Sequence, residues 1–307
     1  MIYSYLLMVL VVIFYAGNIL VGKAINDLPP FTIAFFRVLI SFIILIPIGM
    51  KAAWKHRLTL WEHKRPLLIM TLTGVTFFNT FIYGALQFTT ATNVSILETV
   101  IPVVTVIFSV YLLKERLVPL QWLGILLSFL GAIWVVMDGK IFAVGSIAWN
   151  IGDGIMVGAI LTWAIYSIYV KKYMHLFPTS AFFFIVMGIS VIVLFPIVLL
   201  EWTITGVPSF DGLNHFISLS YLGIFPSLIA LAFYNRAVDL LGPSQASIFL
   251  NFLPVITMFG AYLWFDETIT LMKIIGTLIV ISGVIITTQF SGKRRVMDNK
   301  VPQSQSF

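Results

Sequence analysis

Ten stretches of almost unbroken apolar sequence constrain this chain more than anything else in it. They run at approximately 4–22, 31–50, 67–87, 92–113, 118–137, 151–170, 180–200, 216–235, 243–265 and 271–290, bounded by charge, Pro and Gly. A helix needs roughly 20 such residues to cross a bilayer, so the pattern reads as ten crossings joined by short loops, with no room for a sizeable extramembrane domain. Charge agrees, because 10% of the residues are charged where a soluble domain carries roughly 25%. The third and fourth runs are nearly continuous and are divided at Gln87 to Ala91, since one helix of that length would exceed twice the bilayer thickness. The first run has no Lys or Arg before it and is too long for a signal-peptide core, so it is expected to be retained.

Basic residues orient the spans. With the N-terminus in the cytoplasm, Lys51, Lys55, Arg57, Lys64, Arg65, Lys114, Arg116, Lys171, Lys172, Arg236, Lys293, Arg294, Arg295 and Lys300 fall inside, whereas Lys23, Lys140 and Lys273 fall outside. The positive-inside rule then places both termini in the cytoplasm of a multi-pass membrane protein. It also accounts for the net charge of +6 without a nucleic-acid partner. The polar stretch 291–307 is expected to be a flexible cytoplasmic tail.

The chain contains a duplication. A shift of 152 residues aligns 85–136 with 237–288 without a gap, pairing Pro102 with Pro254, Glu115 with Glu267, Gly124 with Gly276 and Gly131 with Gly283, with 11 identities in 52 positions. Around Lys23 and Lys171 the offset is 148, and Pro30 pairs with Pro178. Each copy holds five spans, an odd number, so the second enters the membrane upside down. Lys114-Glu115-Arg116 lies inside, while Asp266-Glu267-Thr268 lies outside. The expected fold is an all-α membrane protein of ten transmembrane helices in two inverted five-helix repeats, 1–140 and 141–290. Inverted repeats suit alternating access, because two similar halves can exchange roles around a site near the midplane.

Pro-x-x-Thr, a Glu at the following turn and Gly-x-x-x-x-x-x-Gly in the next span, present in both halves, resemble the EamA-type members of the drug/metabolite transporter superfamily. That resemblance implies a plasma-membrane carrier, often an exporter of amino acids or other small metabolites, with a central cavity between the halves. This sequence departs from internal symmetry at Arg37, whose counterpart is Ile185.

Ionisable side chains within spans are costly, which singles out Arg37 and Glu98. Each lies six or seven residues into a helix entering from outside, at a depth of roughly 10 Å, so they are expected to pair. The pair is either a fixed neutralisation of two charges or a contact to a zwitterionic solute or a proton, with Glu98 the proton candidate; Arg37 alone could instead snorkel outward. Polar stripes mark further candidates for a cavity wall: Tyr15, Asn18 and Gly22; Thr76, Thr80, Tyr83 and Gln87; Trp163 and Tyr166; Ser247, Asn251 and Pro254. Cross-helix packing bonds are the alternative for each. Pro102 and Pro254 remove a mid-span donor and are read as paired hinges or static kinks. The four matched glycines are expected to permit close helix packing.

No cysteine is present, and the four histidines are scattered, so neither a metal nor a cofactor is expected. Zinc-hydrolase, intramembrane-protease and phosphate-loop patterns are missing. His56 and His63, among Lys51, Lys55, Arg57, Lys64 and Arg65, read as a solvated basic loop, and Asn93-Val94-Ser95 falls where a glycan would hardly fit. The reading is a secondary transporter of a small organic solute in a lipid bilayer, driven by exchange or protons. A membrane-embedded lipid-modifying enzyme and a channel are the alternatives, and oligomeric state is not legible.

Overall fold

A computed structural model describes residues 2–113, 118–136, 139, 150–210, 212–241 and 249–289. Lys114, Glu115, Arg116, Lys140, Asp211, Ser247, the expected repeat boundary at 140–141 and the tail 291–307 lie outside the described residues. Every regular element among the described residues is helical.

The first repeat contributes α1 (Ile2–Ala24), α2 (Pro30–Lys55), a short α3 (Arg57–Glu62), α4 (Lys64–Met70), a π segment (Thr71–Phe77), α5 (Phe78–Leu86), α6 (Ala91–Glu98), α7 (Ile101–Leu113) and α8 (Pro119–Val136). The second contributes α9 (Ile151–Tyr173), α10 (Thr179–Thr205), α11 (Gly212–Ile224), a second π segment (Phe225–Ala230), α12 (Leu231–Leu241), α13 (Leu253–Phe265) and α14 (Leu271–Gln289). Seven helical stretches among the described residues are long and apolar enough to cross a membrane, and Trp122–Gly131, Leu253–Phe265 and Leu271–Gly283 are shorter apolar helices. The break expected between the third and fourth runs falls after Leu86 and before Ala91.

Two irregularities recur in both copies. Helix α6 stops at Glu98 and α7 begins at Ile101; 152 residues on, turn residues Asn251 and Phe252 precede α13. Pro102 and Pro254 each stand at the second position of the helix after the break, where a missing N–H costs nothing. Each also deprives the carbonyl four residues earlier, that of Glu98 or Leu250, of its helical donor. The π segments are the second irregularity: 71–77 shifted by 152 becomes 223–229, which overlaps 225–230. A π turn inserts one extra residue and shifts the faces that follow it.

The two repeats hold together through helices packed on their own copies, α2 on α10 and α8 on α14. Phe42 and Phe184 stack at the first crossing with ring centroids 5.0 Å apart, while Gly49 and Gly188 leave room for the ring on the opposite helix. At the second crossing a Cβ on Gly283 would lie 2.5 Å from the Ser128 backbone nitrogen, and one on Gly131 would lie 2.8 Å from that of Val280. Ser128 and Val280 are themselves a duplicated pair.

The loop read as a solvated basic surface carries more than charge. Trp54, Leu58 and Trp61 are exposed at helical spacing around α3, with Arg57 4.6 Å from the Trp54 ring and Lys64 4.2 Å from that of Trp61. Paired aromatic and basic residues suit the headgroup zone of a bilayer.

Candidate functional site

A cavity opens between the repeats where α1, α2, the two π segments, α5, α6 and α9 meet. Its wall includes Tyr15, Asn18, Arg37, Phe78, Asn79, Glu98, Trp163 and Ser227. The free space is about 30 Å³, room for roughly two water molecules.

Arg37 is 3% exposed and anchors one wall. Its Nη1 donates to Asn18 Oδ1 at 3.0 Å, to Asn79 Oδ1 at 2.5 Å and to the Tyr83 hydroxyl. Its Nε and Nη2 donate to Ser227 Oγ at 2.9 and 2.6 Å. Tyr83 in turn donates to Asn18 Oδ1 at 2.8 Å, and Ser227 donates to the Leu222 carbonyl, five residues back across the second π segment, at 2.6 Å. The planar guanidinium fork is thus fixed by four neutral side chains from α1, α5 and the second repeat. Each guanidinium nitrogen thus has at least one partner, and none of the partners carries a compensating negative charge.

The expected ion pair is corrected. Arg37 and Glu98 line the same cavity, but no ion pair joins them among the described residues. Counting residues along a helix gives depth and says nothing of rotation, and the guanidinium turns toward α1, α5 and Ser227 instead. Glu98, the last residue of α6, is half-buried and lines the cavity. Around it the space is lined by Tyr15, Phe78, Ile101, Trp163, Leu250 and Leu253. Phe78 and Trp163 have ring centroids 4.3 Å apart, and Tyr15 meets Trp163 edge-on at 6.2 Å.

Of the residues singled out in sequence, Asn18, Arg37 and Tyr83 form one bonded cluster, and Asn18, Arg37, Glu98 and Trp163 line the cavity. Tyr166 packs against Trp163 at 5.1 Å and fills the space left by Gly74, where a Cβ would meet its ring at 2.2 Å. Its hydroxyl is buried beside Asn235 without a bond in good geometry, and both amide atoms of Asn235 are equally unpartnered. Asn251 is buried at the α13 break with neither amide atom bonded, between cavity-lining Leu250 and Leu253. Sequence reasoning missed Asn79, Ser227 and Phe78. Asn79 stands one helical turn before Tyr83, a spacing that was readable; Ser227 sits in a π segment, which apolar periodicity does not reveal.

At one end of the molecule two carboxylates cross between repeats. Glu201 accepts from the backbone N–H groups of Phe31 and Thr32 at 3.0 and 2.8 Å and from the Thr32 hydroxyl at 2.8 Å. Glu267 accepts from those of Ala91 and Thr92 at 2.9 and 3.2 Å and from the Thr92 hydroxyl at 2.7 Å. Each carboxylate satisfies the orphan donors at the start of a first-repeat helix and meets its positive dipole end. At the same end Lys23 Nζ donates to the Leu86 and Thr89 carbonyls at 2.8 and 3.1 Å, and Asn150 donates to the Phe88 carbonyl at 2.6 Å.

Comparison with known proteins agrees with this architecture. Residues 2–137 and 150–289 each match the EamA-like transporter family. The chain is similar to an uncharacterized transporter of Archaeoglobus fulgidus, 27% identical over 293 residues that cover 93% of this chain and 97% of the relative. It is also similar to one of Clostridium kluyveri, 26% identical over 304 residues covering 97% and 96%. A protein of known crystal structure shares the fold with a TM-score of 0.65 at 18% identity, covering 95% of this chain and 99% of that one. The two matches span nearly all of both halves, and the chain belongs to the EamA-like transporter family.

Proposed function

We propose that this chain is a secondary transporter that moves a small organic solute, an amino acid or related metabolite, out of the cell by alternating access. The observation that carries the reading is a small cavity between two repeats, flanked by helices broken at duplicated positions. Half-helices that end at a midplane cavity are the structural signature of carriers. In this reading the chain forms ten spans as two inverted units, 1–140 and 141–290, with both termini in the cytoplasm. Asn18, Arg37, Tyr83, Glu98 and Trp163 face the solute, Tyr166 and Asn251 stand one layer behind, and Pro102 and Pro254 mark the flexing points. Exchange or proton coupling drives the cycle, and the carboxylate clamps of Glu201 and Glu267 hold the outer side closed.

Counterflow in proteoliposomes loaded with amino acids, nucleosides, sugars or cationic drugs tests it. Saturable counterflow of at least one class is expected; covalent turnover of a lipid without counterflow would overturn the reading. Orientation is tested in intact cells, since the cysteine-free chain gives no background. Cysteine placed at Lys55 or Lys172 should resist impermeant thiol reagents and cysteine at Asp27 should react, and the reverse pattern would invert the topology.

A further inference from the structure

We infer that the transported solute carries an amine, and that its ammonium group seats at Glu98 between the rings of Tyr15, Phe78 and Trp163. This rests on the carrier reading and narrows its substrate class. The Glu98 carboxylate lines the cavity and makes no hydrogen bond or ion pair among the described residues. Arg37, the cation that could have neutralised it, is tied to Asn18, Asn79, Tyr83 and Ser227 instead. A carboxyl group in such a place takes either a proton or, when charged, a positive partner from elsewhere.

Everything around it favours that partner being an organic cation. Glu98 is the last residue of α6, so the negative end of a helix dipole meets the cavity there. Pro102 lacks the N–H that would have bonded the Glu98 carbonyl, which leaves a further oxygen with partial negative charge. The faces of Phe78, Trp163 and Tyr15 attract a cation through their quadrupoles. The buried Tyr15 hydroxyl has no partner and can accept from an ammonium N–H. A bare metal ion would want six or more oxygen ligands, whereas these walls are mostly rings and aliphatic side chains. The duplicated position of Glu98 is Leu250, on the same stretch of wall, so the carboxylate is not repeated and a single positive charge matches the site.

The test measures the thermal midpoint of the full chain in lipid nanodiscs titrated with methylamine, tetramethylammonium and phenethylamine. The comparison arms are 3-phenylpropionate and sodium chloride against potassium chloride. At least one amine should stabilise the protein saturably, with an apparent affinity that falls roughly tenfold or more in Glu98→Gln and in Trp163→Leu and partly recovers in Glu98→Asp. Should Glu98→Gln fail to fold, Trp163→Leu and Tyr15→Phe decide. Stabilisation by 3-phenylpropionate or sodium but by no amine would overturn the assignment, as would amine binding that is unchanged in the Glu98 and Trp163 variants. The carrier reading fails separately: Glu98-dependent amine binding with no counterflow of any solute would keep the ammonium seat and remove transport. Counterflow confined to anions would keep the carrier and remove the seat.

Discussion

The first repeat carries charge at the cavity, and the second carries the same scaffold without it. Arg37 has Ile185 as its counterpart, its anchor Ser227 has Val75, and Glu98 has Leu250. The bonded pair Asn18 and Tyr83 recurs as Tyr166 and Asn235, with the two residue types exchanged and the bond unmade. Helix breaks, π segments and self-copy crossings, by contrast, coincide in both halves. The scaffold is thus repeated in both halves, while the two charged cavity residues, Arg37 and Glu98, stand in one.

Forcing the copies to match should fail in one direction. Ile185→Arg introduces a second cation at a half-buried position without the four acceptors that hold Arg37; a lower yield of folded protein is expected by fluorescence-detected size exclusion. The opposite change, Arg37→Ile, leaves four neutral groups that can partly bond one another, as Tyr83 and Asn18 already do. It should cost about 1–3 kcal/mol, fold, and lose counterflow by at least tenfold. A double variant of Arg37→Gln and Glu98→Gln should show little mutual rescue of expression, since the two side chains share a cavity and no contact; strong rescue would restore the ion-pair reading.

Glu201→Gln and Glu267→Gln each weaken a charge-assisted cap by about 1–2 kcal/mol. Cysteine placed at Asn18 should then react several-fold faster with an external impermeant reagent; an unchanged rate would remove these carboxylates from the closing of the outer side. The smallest effect separates the duplicated tyrosines. Tyr83→Phe should destabilise by about 1 kcal/mol, whereas Tyr166→Phe, which loses no good bond, should change the thermal midpoint little or raise it.

Part of this architecture was legible because lipid imposes it: the apolar runs and the break between Gln87 and Ala91 follow from span length, and the two copies show in the ungapped repeat. Proline placed the breaks of α6 and α13 within two or three residues. What sequence did not reveal is azimuth and distance across the chain. Arg37 and Ser227 are 190 residues apart, and Glu267 reaches Thr92 over 175, so no local pattern announces either. Equal depth suggested that Arg37 and Glu98 pair; only the rotation of α2 and α6 shows that they face a common space from different walls.

The crossing of α8 and α14 bears on how such a protein can move at all. Its glycines face backbone of the opposite helix, Gly131 against Val280 and Gly283 against Ser128, so the interface maps onto itself when the repeats are interchanged. Under the proposed alternating access a contact of that kind would serve as a bearing, at which the halves could turn and arrive at an equivalent arrangement without surrendering any of it. The cavity and its clamps would exchange partners through such a cycle while the bearing kept its own, so a methyl group added to either glycine would burden both ends of the stroke equally.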